Sequence, residues 1–219
     1  WVKAGALGAG SRLTTTKKRE ILLKYIHGVD IDAQAVEVTK LSLLLKVLEG
    51  ESQESVGKQL SLFRERALPD LARNIKCGNS LIGPEFYQQA ELPLLTDEER
   101  YRVNVFDWQA EFADIFKAGG FDAVIGNPPY VRQELLTPFK PWLEANYETF
   151  HGMADLYVYF YELGVRVLKP GGLLSFIVTN KWMKAGYGEP LRRFFSEKAC
   201  VRSVVDFGHA KQIFEEADV

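Results

Sequence analysis

Cysteine is nearly absent. Cys77 and Cys200 are the only two in 219 residues, far apart and in no C-x-x-C spacing. A disulfide framework and a zinc ribbon are therefore excluded, no metal ligand set is expected, and a reducing cytoplasm fits. Long hydrophobic runs are lacking too, with none near the ~18 residues of a membrane span. An excess of one charge is also missing. Lys and Arg number 27 against 29 Asp and Glu, a formal net charge of -2. A stand-alone DNA-binding domain is usually strongly basic, because phosphate neutralisation supplies most of its affinity. The charge is uneven all the same: Lys181, Lys184, Arg192, Arg193, Lys198 and Arg202 crowd one stretch against Glu189 and Glu197. A solvated helix face is the plain reading of that stretch. The opening WVKAGALGAG has neither an initiator methionine nor a signal pattern, so the sequence is expected to come from inside a longer chain.

What is present describes a globular chain, 47% hydrophobic and 26% charged. At roughly 150 residues per domain, its length suggests one domain with insertions. Thr14 to Thr16 can cap a helix with Ile21, Leu22, Tyr25 and Ile26 on one side. A short strand over 27–31 leads to a second helix from Ala33 to Leu48, apolar at Val36, Leu41, Leu44 and Val47 and stopped by Gly50. Residues 51–58 read as a loop, and a strand over 74–77 runs into Gly78-Asn79-Ser80-Leu81. Residues 83–104 look irregular, with a capped turn at Thr96 and Glu99. A helix from Asp107, with Phe112, Ile115 and Phe116 inward, closes at Gly119-Gly120; the whole of 83–120 reads as an insertion. An apolar strand over 121–125 ends at Gly126-Asn127-Pro128-Pro129-Tyr130. A loop-rich insertion over 131–153 precedes a helix from Ala154 to Leu168, halted by Lys169-Pro170-Gly171-Gly172. A buried strand over 173–178, a helix over 189–197 and a strand over 201–207 follow. This rhythm predicts an α/β fold, a mostly parallel sheet with helices on both faces. Ligands in such sheets sit at the carboxyl ends of strands, so Asp30, Asn79, Asn127 and Asn180 are expected on one rim.

Asn127-Pro128-Pro129-Tyr130 is the most informative feature. Two consecutive prolines fix φ and remove both N–H donors, so the backbone there offers only carbonyl acceptors. Asn127 adds a side-chain carbonyl and Tyr130 an aromatic face. The set suits a planar ring bearing an NH2, whose two hydrogens go to the Asn127 side chain and the Pro128 carbonyl while the ring lies against Tyr130. Such bonds draw the amine lone pair out of ring conjugation without an acid, a metal or a covalent nucleophile. Stacking on one aromatic is worth roughly 1–3 kcal/mol per base, about what extruding a base from a duplex costs, so a second aromatic clamp is expected. The alternative is an ordinary turn closing a strand. Asp30, at the end of an early strand, can accept hydrogen bonds from ribose hydroxyls. Asp32 competes for that role, and helix capping explains either residue. Ile31 can cover an adenine face or belong to the core. Asn79 can accept from an adenine amine or simply hold a turn.

Taken together, these residues resemble the catalytic domain of N6-adenine DNA methyltransferases, above all those of single-chain type IIG restriction–modification enzymes. The landmarks are Gly28-Val29-Asp30-Ile31-Asp32, Cys77-Gly78-Asn79-Ser80-Leu81, Asn127-Pro128-Pro129-Tyr130, Asp155-Leu156-Tyr157, Leu168-Lys169-Pro170-Gly171-Gly172, Asn180-Lys181-Trp182 and Ile213-Phe214. They run from about Arg12 to Val219. The resemblance implies a Rossmann-like methyltransferase fold, S-adenosylmethionine as methyl donor, an SN2 transfer, and a flipped adenine of double-stranded DNA as acceptor. It assigns Asp30 to the donor's ribose, Ile31 to its adenine and Asn79 to the same pocket, where the family often has an aspartate. Asn127, Pro128 and Tyr130 would take the target amine and ring, with Pro129 and Lys181 on the substrate side and Phe214 as the second clamp. By its own pattern, Phe214 could equally be a core residue.

Two departures shape the expectations. The family's first motif, a Gly-rich turn that cradles the donor's methionine part, is not found. Gly5-Ala6-Leu7-Gly8-Ala9-Gly10 lies at a dinucleotide-fingerprint distance from Asp30, but no strand precedes it. That motif and the first strand are expected upstream of Trp1, and the chain by itself is expected to bind the donor weakly. The DNA-reading target-recognition region is expected beyond Val219. No Asp or Glu stands two places before any Lys, so the common Asp…Glu-x-Lys nuclease site cannot be assembled here. Cytosine-C5 chemistry lacks its Pro-Cys nucleophile. The competing readings are a methyltransferase acting on RNA or a protein glutamine, and a catalytically silent DNA-binding module.

Overall fold

The computed structural model describes residues 13–49, 69–88, 98 and 102–207. The loop over 51–58, the turn at Thr96 and Glu99, the glycines at 5–10 and Phe214 lie outside the described residues. The chain divides into two compact units, Trp1–Asp107 and Trp108–Val219.

In the first unit, α1 (Thr15–Tyr25) leads to β1 (Gly28–Asp30), α2 (Ala33–Leu48) and β2 (Ile75–Cys77). Both helices start at side-chain caps. The Thr14 hydroxyl accepts the Lys17 N–H at 3.3 Å, and Asp32 accepts the Gln34 and Ala35 N–H groups at 2.7 and 3.4 Å. β1 and β2 pair in parallel, Asp30 beside Cys77. Leu22, Val36, Val47, Leu71 and Ile75 are buried between them, with Leu43 and Leu44 against this cluster. Tyr25, Ile26 and Leu41 are exposed, contrary to the amphipathic reading. Leu41 is five residues from Val36, well off the face that carries Leu43, Leu44 and Val47, and joins Val38 and Leu45 in an exposed stripe.

The sequence does not announce Asn74. Its buried side-chain amide donates to the carbonyls of Leu23 and Ile26 at 2.9 Å and of Leu22 at 3.4 Å. The open end of α1 is thus closed from the entrance to β2, 48 to 52 residues away.

In the second unit, the expected helix from Asp107 is two pieces, α3 (Trp108–Glu111) and α4 (Ala113–Lys117). They break at Phe112, whose backbone leaves the helical region (φ -125°, ψ 42°) as its buried ring turns edge-on to Phe121. β3 (Phe121–Gly126) pairs in parallel with β4 (Leu168–Phe176). Between them come α5 (Lys140–Asn146) and α6 (Tyr157–Val167), and α7 (Glu189–Lys198) follows. The expected start of α6 at Ala154 is three residues early, because the Leu156 N–H is drawn to the Val131 carbonyl at 3.1 Å.

Lys169-Pro170-Gly171-Gly172 does not simply end a helix. It bulges within β4, where the register steps from Phe121↔Leu168 to Ala123↔Leu173. Gly171 turns the chain at φ +81°, which a side chain would oppose. β4 ends at Phe176, and its expected burial is only partial, since Leu173 is exposed and so is Ile125 of β3. Residues 201–207 form no ladder among the described residues; Val201, Val204 and Val205 are exposed there.

Glycine at 164 lets α6 lie close on β4, since a Cβ would fall 2.8 Å from Leu174 Cδ1. Glu162, fully buried on α6, accepts the Glu148 and Thr149 N–H groups at 3.1 and 2.8 Å and pairs with Arg166. One carboxylate thereby moors the loop ahead of α6.

Candidate active site after the third strand

Parallel pairing carries both chemistry-bearing segments of each unit to the same strand end. Asp30 closes β1 and Asn79 lies two residues beyond β2; Asn127 follows β3 directly, and Asn180 stands four residues beyond β4.

β3 stays hydrogen-bonded to its last residue, where the Gly126 carbonyl accepts the Ile177 N–H at 3.1 Å. Asn127-Pro128-Pro129-Tyr130 then leaves the sheet without regular secondary structure. Pro128 is buried and anchors the turn, while Asn127, Pro129 and Tyr130 are exposed. The Asn127 side chain and the Pro128 carbonyl have no hydrogen-bond partner among the described residues. Two acceptors of the expected kind therefore stand open side by side in sequence.

Tyr130, 51% exposed, is supported from α6. Its ring leans on that of the fully buried Tyr157, centroids 6.4 Å apart and 59° between planes. The Tyr157 hydroxyl meets the Tyr187 hydroxyl at 3.0 Å. Burial pushes the Tyr130 phenol above its ordinary pKa; burial and then the nearby Tyr130 push Tyr161 up to about 12. Tyr157 and Tyr161 are four apart on α6 and so share a helix face, a spacing visible in YVYFYEL that sequence reasoning passed over.

Tyr161 also packs edge-on against Phe195 and, tilted by 57°, against Trp182 in the turn Asn180–Met183. That turn carries Lys181, which is exposed and has no ion pair among the described residues. Asn180 donates to Asp206 at 3.4 Å. The basic stretch divides by role. Arg192 is half-buried and donates to the carbonyls of Trp182, Met183 and Ala185 at 2.6, 3.4 and 3.0 Å, so it builds the turn. Lys181, Lys184, Arg193 and Lys198 face solvent.

In the first unit, the alternatives for the two aspartates separate. Asp32 is the α2 cap. Asp30 is exposed; its Oδ1 accepts the Asp32 N–H at 2.8 Å, which leaves Oδ2 without a partner among the described residues. Ile31 presents an exposed side chain while its carbonyl is held by Asn104 and Cys77. Asn79 does hold a turn, its Oδ1 accepting the Leu81 N–H at 3.2 Å, with one lone pair and the side-chain NH2 left over. The end of the β1–β2 sheet thus offers an aspartate oxygen, an exposed isoleucine side chain and a part-satisfied amide.

Comparison with known proteins follows the same lines. The family described as Eco57I restriction-modification methylase matches residues 24–214. The type II restriction enzyme and methyltransferase RM.Eco57I of Escherichia coli is 33% identical over 204 residues, 90% of this chain and 18% of the relative. The putative type II restriction enzyme and methyltransferase RM.MjaORFECS2P of Methanocaldococcus jannaschii is 31% identical, covering 86% of this chain and 25% of its own length. The type II methyltransferase M.XhoI of Xanthomonas vasicola is 48% identical over 87 residues, 39% of this chain and 16% of the relative. The chain thus spans no more than about a quarter of the length of these relatives. A match over 191 consecutive positions, from Lys24 to Phe214, takes in both open strand ends, and on that ground the chain belongs to the Eco57I restriction-modification methylase family.

Proposed function

We propose that this chain is the catalytic part of a cytoplasmic enzyme that methylates adenine N6 at specific sites in double-stranded DNA, the modification activity of a restriction–modification enzyme. The observation that carries the reading is the pair of unsatisfied acceptors, the Asn127 side-chain carbonyl and the Pro128 carbonyl, at the mouth of β3 beside a half-exposed tyrosine. Their open hydrogen-bonding capacity matches the two hydrogens of an exocyclic amine, and binding both raises the nucleophilicity of its nitrogen. Tyr130, with Pro129 beside it, supplies a face for the flipped base, and Phe214 a second one. Lys181 meets the DNA backbone on the substrate side. Asp30 holds the donor's ribose, Ile31 covers its adenine, and Asn79 meets the adenine amine. S-adenosylmethionine, when bound, contributes an electrophilic methyl group. Sequence readout belongs to a target-recognition region outside these 219 residues, and 83–120 and 131–153 are insertions into the methyltransferase framework.

The test uses the full natural protein, labelled S-adenosylmethionine and unmodified duplex DNA, followed by nucleoside mass spectrometry. N6-methyladenine is the expected product, and Asn127→Ala should abolish it while the protein still binds DNA. Methyl transfer to RNA or to a glutamine-containing peptide instead, or DNA binding without any donor use and unaffected by Asn127→Ala, would overturn the reading.

A further inference from the structure

The chain returns to the carboxyl end of the β1–β2 sheet at residues 102–106, and there it adopts a strained backbone. Asn104 has φ +49°, a left-handed conformation that asparagine accepts more readily than most L residues. From that conformation its main chain and side chain reach in different directions. The Asn104 carbonyl accepts the Asn79 N–H at 2.6 Å, and Val105 then pairs in parallel with Asn79 as a one-residue continuation of the sheet. The side-chain amide donates to the Ile31 carbonyl and to the Cys77 sulfur, each at 3.4 Å. One residue thus joins the chain leaving β1 to the chain leaving β2.

The next turn locks this arrangement. The Phe106 N–H donates to the Ile82 carbonyl at 2.9 Å, and the buried Phe106 ring lies so close to Gly78 that a Cβ there would come within 2.5 Å. Helices α1 and α2 and the β1–β2 ladder make their own hydrogen bonds without Asn104. Its two side-chain bonds are long and lie at the surface. Together with the Asn104 carbonyl they link Ile31 to Asn79, alongside the Gly78 N–H bond to the Asp30 carbonyl at 2.8 Å.

We propose that Asn104 is a positioning residue of the methyl-donor pocket, setting the spacing of Asp30–Ile31 against Asn79 for a nucleoside ligand; this rests on the assignment of those three residues to the donor. Two substitutions in the full natural protein separate its parts. Asn104→Gly keeps the left-handed backbone and the carbonyl contact to Asn79 but removes the amide. Asn104→Asp keeps the shape but sets a carboxylate against the Ile31 carbonyl. The probe is S-adenosylhomocysteine in calorimetry, with separate KM values for S-adenosylmethionine and DNA. Both variants are expected to bind the probe about tenfold more weakly and to raise the donor KM in step, with kcat at saturating donor and the DNA KM within about twofold of wild type. Wild-type probe affinity in Asn104→Gly overturns the proposal, as does a fall in kcat that accompanies equal changes in both KM values. If Asn104→Asp fails to fold, Asn104→Gly decides alone. A wild-type protein that binds no S-adenosylhomocysteine overturns the donor assignment itself, and this inference with it.

Discussion

Asp30 and Asp32 stand two positions apart, and each uses its carboxylate differently. Both accept through Oδ1 and leave Oδ2 without a partner among the described residues, but Asp32 takes the first N–H groups of α2 and Asp30 the N–H of Asp32. Asp32→Ala should therefore cost about 1 kcal/mol of stability as a lost N-cap. Asp30→Ala should leave stability nearly unchanged and weaken donor binding; thermal melting beside donor titration distinguishes the two. Tyr130→Ala in the full natural protein should remove roughly 1–3 kcal/mol of stacking, a rise of about 5- to 150-fold in the DNA KM, with donor affinity within a few-fold. A large loss of donor affinity would argue against the stacking role. The role proposed for Tyr130 is that of a surface and not of a base. Burial holds its phenol above the ordinary value of 10.0 and holds Tyr159 and Tyr161 up at about 12, so the methylation pH profile should show no tyrosine limb below that ordinary value.

Elements in this chain are closed by residues remote in sequence. α1 ends on carbonyls that accept from Asn74, and the turn after β4 is built on Arg192 of the following helix. Asn74→Ala leaves up to three buried or half-buried carbonyls without that donor, at about 1–3 kcal/mol. Native-state hydrogen exchange should report this as faster exchange across α1, with α6 unaffected. Helix starts were legible beforehand because Thr14 and Asp32 act within their own next three residues. So was the end of α2 at Leu48, ahead of Gly50. The closure of α1 and the break at Phe112 were not, because each depends on a partner brought by the fold: Asn74 for α1, Phe121 for the break. Apolar patterning misled at Leu41, Ile125 and Leu173, which look like core residues and are exposed. Periodicity names a face but cannot say whether anything covers it.

At the scale of the molecule, stability couples to pH through His27, between α1 and β1. Burial, the dominant influence, lowers its pKa below the ordinary 6.5, against a smaller opposing hydrogen bond with the Tyr25 backbone. The unfolded chain therefore binds a proton that the folded one resists. The stability that neutral His27 contributes is complete above pH 6.5 and is lost as pH falls below it, toward the lower folded value. Melting temperatures of the full natural protein should fall over that window, and His27→Gln should flatten the decline. An identical slope in the variant would remove His27 as the cause. Among the described residues no helix is long and apolar enough to cross a membrane.

By itself the sequence determined the alternation of helix and strand, the parallel pairing that follows from it, and Asn127-Pro128-Pro129-Tyr130 as the place to look for chemistry. Those properties depend on residues adjacent in the chain: caps, prolines that remove donors, and an apolar run that stops at a polar one. Only the tertiary structure decided that Asn74 closes α1, that Tyr157 backs Tyr130, and that Asn104 ties the exits of β1 and β2. Each of these depends on which hydrogen-bonding atoms are already occupied and which rings meet, and such contacts exist only once distant segments are brought together.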